Sequence, residues 1–193
     1  MTAAVWIVGA YLLGSVPTGL LLGKLYGIDV RATGSGNIGA TNLYRTLGRR
    51  VGILTLIGDC LKGFLPVFLA FKLGLAGPMQ AWIGLAAFLG HVFSLFLLFK
   101  GGKGVATALG VYLALAPLAV LGALGVFVVL VVSFRYISLG SIVAAATMPI
   151  IIWFLPHDLA LLIATALIAS VVIIKHHANI SRLVAGTENK FKA

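Results

Sequence analysis

VATALGVYLALAPLAVLGALGVFVVLVVSF, Val105 to Phe134, is a run of 30 almost wholly apolar residues. As one α-helix it would be about 45 Å long, well beyond the roughly 30 Å hydrocarbon core of a bilayer. Pro117 stands near its middle, where a proline removes a backbone donor and clashes with the preceding turn. The run therefore reads as two segments, a short one from Val105 to Ala116 and a longer one from Leu118 to Phe134.

Working outward, Ala3–Gly23, Val51–Leu73 and Gln80–Phe99 precede the pair, and Ser138–Leu155 and Leu159–Ile174 follow it. The split can be tested by charge. With seven spans, Lys24, Arg31, Arg45, Arg49, Arg50, Lys100, Lys103, Arg135, Lys175, Arg182, Lys190 and Lys192 fall on one side, twelve of the 14 basic residues. Left whole, the 30-residue run would carry Arg135 and the basic tail to the opposite face, against the positive-inside rule. The expectation is an all-α polytopic membrane protein of seven transmembrane helices, one of them short. Its amino terminus would lie outside and its carboxyl terminus in the cytoplasm. Residues 1–193 form a single integral membrane domain on this reading.

Composition agrees. The chain is 61% hydrophobic and 9% charged, with a mean hydropathy of +1.15, whereas soluble domains carry about 25% charged residues. Met1-Thr2-Ala3-Ala4 offers no basic leader before the first apolar run, which reads as a retained span and not a cleaved signal. The single cysteine, Cys60, excludes an internal disulfide. The net charge of +10 suits anionic headgroups, anionic substrates or simply the positive-inside bias, and the scatter of the basic residues over short loops speaks against nucleic acid.

The polar residues are concentrated in a few stretches on the cytoplasmic side. GSGNIGATNLYR, Gly34 to Arg45, has glycines at 34, 36 and 39 whose tight turns suit an anion nest. Ser35, Asn37, Thr41 and Asn42 add neutral donors, and Arg45 can grip a phosphate bidentately. A plain interhelical loop is the alternative. The stretch matches G-x-G-x-x-G and Asp59 follows twenty residues after Gly39, yet a membrane span precedes it and no βαβ unit surrounds it, so a dinucleotide site is rejected. Gly101-Gly102-Lys103-Gly104, leading into Val105-Ala106-Thr107, is not a Walker A loop, because Gly104 stands where Ser or Thr would follow the lysine. It still offers a lysine at a helix amino end, a common way to hold an anion.

Ser138-Leu139-Gly140-Ser141 says little by itself. In His176-His177-Ala178-Asn179-Ile180-Ser181-Arg182, a helix would place His176 and Asn179 on one face. Metal ligation lacks ligands, with four carboxylates and one cysteine in the whole chain. Asp59 and Lys62, three apart within a span, read as a structural ion pair, and His91 as a packed core histidine.

GSGNIGATNLYR, GGKGVAT and HHANISRLVAGTE, in this order and each at the end of a span, closely resemble the three motifs of bacterial acyl-phosphate:glycerol-3-phosphate acyltransferases. GHVFSLFLLFK and SLGS extend the likeness over nearly the whole chain. The resemblance implies transfer of a fatty acyl group from acyl phosphate to the 1-hydroxyl of glycerol 3-phosphate, giving 1-acylglycerol 3-phosphate and phosphate. It implies His176, Asn179, Lys103 and Ser35 as catalytic. Together with the reading of the residues themselves, it gives Gly34, Ser35, Gly36, Asn37, Thr41, Asn42, Arg45, Gly101, Gly102, Lys103, Gly104, Thr107, Ser141, His177 and Arg182 as the expected substrate-binding residues. Asp59, Lys62 and Glu188 would be structural. Neither metal nor cofactor is implied. The partners would be the two substrates, membrane lipid and the soluble enzyme that makes acyl phosphate, and the place the bacterial inner membrane with the site facing the cytoplasm.

The chemistry of these residues suits that assignment. Both substrates are phosphate anions, and each unit-charge pair at 4 Å is worth about 4 kcal/mol at an effective dielectric near 20. Arg45, Lys103 and Arg182 can offset that repulsion. Phosphate leaves readily, so direct transfer is expected, with an acyl-serine on Ser35 or Ser141 as the alternative. The rival function is a transporter or flippase for an organic phosphate. Against it, the polar motifs gather on one face, and no polar line runs through the spans beyond Asp59, Lys62 and His91.

Overall fold

The structure, a computed structural model, describes residues 2–191; Met1 and Lys192, both used in the sequence reading, lie outside them. The described residues form helices and turns without a strand. The chain divides into two compact units, residues 1–115 and 116–193. The first holds α1 (Ala3–Ser15), α2 (Thr18–Leu25), α3 (Ala40–Leu47), α4 (Arg49–Lys72), α5 (Gly77–Val92), a 3-10 turn (Leu95–Leu97) and α6 (Val105–Leu115). The second holds α7 (Pro117–Phe134), α8 (Ile137–Trp153), α9 (Leu159–Lys175) and α10 (His177–Val184).

The long apolar run breaks at the expected proline. α6 ends at Leu115, Ala116 leaves helical geometry at φ −149° and ψ 65°, and Pro117 opens α7 in the position where its missing N–H is harmless. Two other expected spans are less simple. Ala3–Gly23 is not one helix: Pro17 separates α1 from α2, and Lys62 Nζ takes the Val16 carbonyl at the break, at 2.8 Å. Gln80–Phe99 ends as a helix at Val92, and beyond the 3-10 turn Leu98 and Phe99 both turn left-handed, at φ 51° and 64°. Pro66 and Pro149, by contrast, stay inside α4 and α8.

Among the described residues, four helical segments are long and apolar enough to cross a membrane: Ala3–Leu25, Arg49–Lys72, Gly77–Leu97 and Pro117–Phe134. A fifth is added if α9 and α10, bent by 56°, count as one broken span. α6 and α8 are shorter apolar helices. The chain is a multi-pass membrane protein.

In the first unit α1 packs on α5 and α4 packs on both α5 and α6. In the second, α8 lies between α7 and α9. Membrane helices approach through small residues because hydrocarbon gives them no hydrophobic drive to associate. α4 and α6 show it at two heights, where a Cβ on Gly63 would strike the Thr107 carbonyl and one on Gly110 the Cys60 carbonyl. Gly110→Ala is expected to cost about 1–3 kcal/mol by forcing the helices apart. Gly125→Ala in α7, where a Cβ meets nothing, is expected to be neutral or mildly stabilising. Thermal unfolding in detergent checks the pair.

Candidate active site

The first polar loop is built around Asn42. It lies buried on α3, and its Nδ2 donates to the carbonyls of Val30, Thr33 and Asn37 at 3.0, 3.1 and 2.8 Å. Its Oδ1 accepts from Ser35 N at 2.9 Å. Asn37 Oδ1 accepts from Gly39 N at 2.8 Å, and Gly36 N donates to the Thr33 carbonyl at 3.0 Å. These bonds take up three of the amides expected to form the anion nest, those of Ser35, Gly36 and Gly39, within the loop itself. Gly34 and Gly36, at φ 59° and 70°, serve the turns themselves. The Ser35 and Arg45 side chains are left exposed. Half of the stretch is helical, with Thr41 in the first turn of α3 and Arg45 in its last. Just upstream, Arg31 clasps Asp29 through Nε at 2.9 Å and Nη2 at 2.6 Å, and this hydrogen bonding lowers the Asp29 carboxyl to about 2.

The second loop doubles back on the end of α5. Gly101 N donates to the Val92 carbonyl and Gly102 N to the His91 carbonyl, both at 3.2 Å, so these amides too are taken up by the protein. Lys103 follows, half-buried, ahead of Gly104 at φ 83° and two residues before α6. Thr107 is fully buried against α4, and its hydroxyl finds no hydrogen-bond partner among the described residues. The Asp59–Lys62 pair forms as the i, i+3 spacing predicts, with Nζ 2.9 Å from Oδ1. His91 adds a third member, its Nδ1 3.7 Å from the same oxygen.

In the second unit His176 stands at the bend between α9 and α10, so it and Asn179 do not share one continuous helix as expected. His176 is buried with Nδ1 2.8 Å from the Val172 carbonyl. A carbonyl can only accept, so Nδ1 carries the proton and the neutral ring has its lone pair at Nε2. His177 is exposed, its Nδ1 3.1 Å from the Ile174 carbonyl. Ser141 donates to the Ile137 carbonyl one turn back, at 2.9 Å. Glu188 gathers the rest: Oε1 accepts from Ser138 Oγ and Asn179 Nδ2, and Oε2 from Arg182 Nε, each at 2.7 Å. Burial raises this carboxyl, but the three donors outweigh it and hold the group below its ordinary value. Among the described residues no group of three His, Cys, Asp or Glu side chains offers a metal site.

A model of the glycerol-3-phosphate acyltransferase family matches residues 4–186. The glycerol-3-phosphate acyltransferase of Trichlorobacter lovleyi is 80% identical over 194 residues, covering 100% of both chains. The chain belongs to the glycerol-3-phosphate acyltransferase family. That of Geobacter sulfurreducens is 63% identical over 184 residues, covering 95% of each chain. The structure is also similar to crystal structures of PlsY (YgiH), an integral membrane glycerol 3-phosphate acyltransferase. The glycerol 3-phosphate form aligns at TM-score 0.94 and 40% identity, over 98% of this chain and 96% of that one. The lysophosphatidic acid form aligns at 0.92 and 39%, over 98% and 95%.

As an acyltransferase of this family, the chain carries its expected site residues in two groups. Ser35, Arg45 and Lys103 lie in the first unit; Ser141, His176, His177, Asn179, Arg182 and Glu188 lie in the second. The structure joins Asn179 and Arg182 through Glu188, and Ser35 and Asn37 through Asn42. Sequence reasoning missed Ser138, which bonds Glu188 across 50 residues, and the approach of His91 to Asp59. The available hint was the SLGS stretch at the head of α8, which by itself gave Ser138 no role.

Proposed function

We propose that the acyl donor is a long-chain acyl phosphate and the acceptor the 1-hydroxyl of glycerol 3-phosphate. The product would be lysophosphatidic acid. The observation that carries this reading is the match, over nearly the whole length of both chains, to PlsY structures in glycerol 3-phosphate and lysophosphatidic acid forms. The three polar motifs support it. In the reaction the hydroxyl oxygen attacks the acyl carbon, the bond from that carbon to the phosphate oxygen breaks, and inorganic phosphate departs with its electron pair. Lys103, Arg45 and Ser35 hold phosphate oxygens and offset their repulsion. His176 and Asn179 orient the glycerol hydroxyl. Its proton goes to His176 Nε2 or to a phosphate oxygen. Asn42, with its amide engaged in the loop, shapes the Ser35 segment.

Residues 1–193 act on this reading as one catalytic membrane domain of seven crossings, α6 the shortest, in the bacterial inner membrane. The amino terminus lies outside and the motifs face the cytoplasm, where acyl phosphate arrives from the soluble enzyme that makes it. Twelve basic residues on one side support the orientation.

Purified protein given palmitoyl phosphate and labelled glycerol 3-phosphate is expected to form lysophosphatidic acid, and none from palmitoyl-CoA. Product from the CoA ester alone would sink the donor assignment. A labelled acyl group trapped on Ser35 or Ser141 would replace direct transfer with a covalent route.

A further inference from the structure

Asp59, Lys62 and His91 place three ionisable side chains at 2–4% exposure within an apolar helical unit. Removing charges from water is costly even when they are paired, and intramembrane charges mark places where something must be held. Two of the things held are visible. Lys62, 2.9 Å from Asp59, donates to the Val16 carbonyl at the α1–α2 break, which Thr18 N also reaches at 3.0 Å. His91, 3.7 Å from Asp59 through Nδ1, presents Nε2 to Gly102 so closely that a Cβ there would overlap the ring. The main chain adds to this support, since the carbonyls of His91 and Val92 take the amides of Gly102 and Gly101. The glycine loop therefore rests on the last turn of α5, with the imidazole as its floor, and Lys103 is the next residue along.

We propose that His91, braced by the Asp59–Lys62 pair, is a positioning residue that sets the register of Gly101–Gly104 and thereby the place of the Lys103 ammonium in acyl transfer. The inference deepens the proposed phosphate-binding role of Lys103 and rests on it. His91 touches no reacting atom and acts only through the loop. Gly102 is required at its position because the ring occupies the space of a side chain. A ring that merely filled space would contribute to stability alone, whereas one that sets the lysine contributes to turnover through that lysine.

A double-mutant cycle separates these roles. His91→Ala is expected to lower kcat/KM for glycerol 3-phosphate about ten- to a hundredfold, the scale of a displacement near 1 Å at a reacting centre. In a Lys103→Ala background the same change is expected to cost no more than about twofold, because the group it positions is gone. His91→Gln, which keeps a polar side chain under the loop, is expected to recover part of the loss. Equal losses in both backgrounds, or no loss from His91→Ala, overturn the inference. If His91→Ala does not fold, the cycle is run with Gly102→Ala, which crowds the floor from the loop side, and additivity there is equally fatal. A fully active Lys103→Ala would instead remove the lysine's role, a failure distinct from this one.

Discussion

Lys103→Ala is expected to lower kcat/KM by about 10²–10³, the range observed when one group stabilising developing negative charge is removed. Both proposed substrates carry phosphate, and departing phosphate accumulates charge as the acyl–oxygen bond breaks. Lys103 is suited to meet that charge. It is half-buried, where an ammonium is less screened than on an open surface. It also precedes α6 by two residues, so the amino end of that helix adds a partial positive charge of its own. The amides of Gly101 and Gly102 do not share the task, because they are bonded to α5. The ammonium therefore carries a large share of the positive charge that this loop offers, which makes the loss large. Steady-state kinetics with acyl phosphate and glycerol 3-phosphate test it. A change under about threefold would show that the ammonium does not meet the developing charge.

Glu188→Ala is expected to destabilise the protein by about 3 kcal/mol and to remove most activity. Asn179 and Ser138 are buried, and each would lose a 2.7 Å bond to a charged acceptor without water to replace it. Arg182, with its side chain 39% exposed, adds little to the total because solvent screens its pair. Glu188→Gln is expected to fall between, since its carbonyl can still accept from Asn179 and Ser138 while its amide faces Arg182 donor to donor. The pH dependence has a definite sign. The folded carboxyl lies below its ordinary value of 4.5, so its contribution is fully present above about that pH. It is lost as pH falls through the folded value, and Glu188→Gln is expected to flatten that acid limb. Unfolding in detergent across pH 3–7 measures both effects; a wild-type curve unchanged by the substitution would contradict them.

Much of this was legible in the sequence. Apolar length and Pro117 pointed to the break between α6 and α7, because both signals lie in a continuous stretch of chain. The i, i+3 spacing gave the Asp59–Lys62 pair for the same reason. The motifs pointed to the family, and Glu188 was placed as structural.

What failed to show was direction. A glycine reports that a side chain is absent, not whether its amide faces a ligand or its own loop. Only the tertiary structure turns the amides of Ser35, Gly36 and Gly39 inward around Asn42, and those of Gly101 and Gly102 onto α5. The break at Pro17 was hidden for a similar reason: the Val16 carbonyl beside it accepts from Lys62, 46 residues away. Composition, periodicity and local spacing thus determined the class of protein, its helices and its motifs. The packing of distant segments decided which polar groups were consumed in holding those motifs, because a hydrogen bond needs proximity in space and not in sequence.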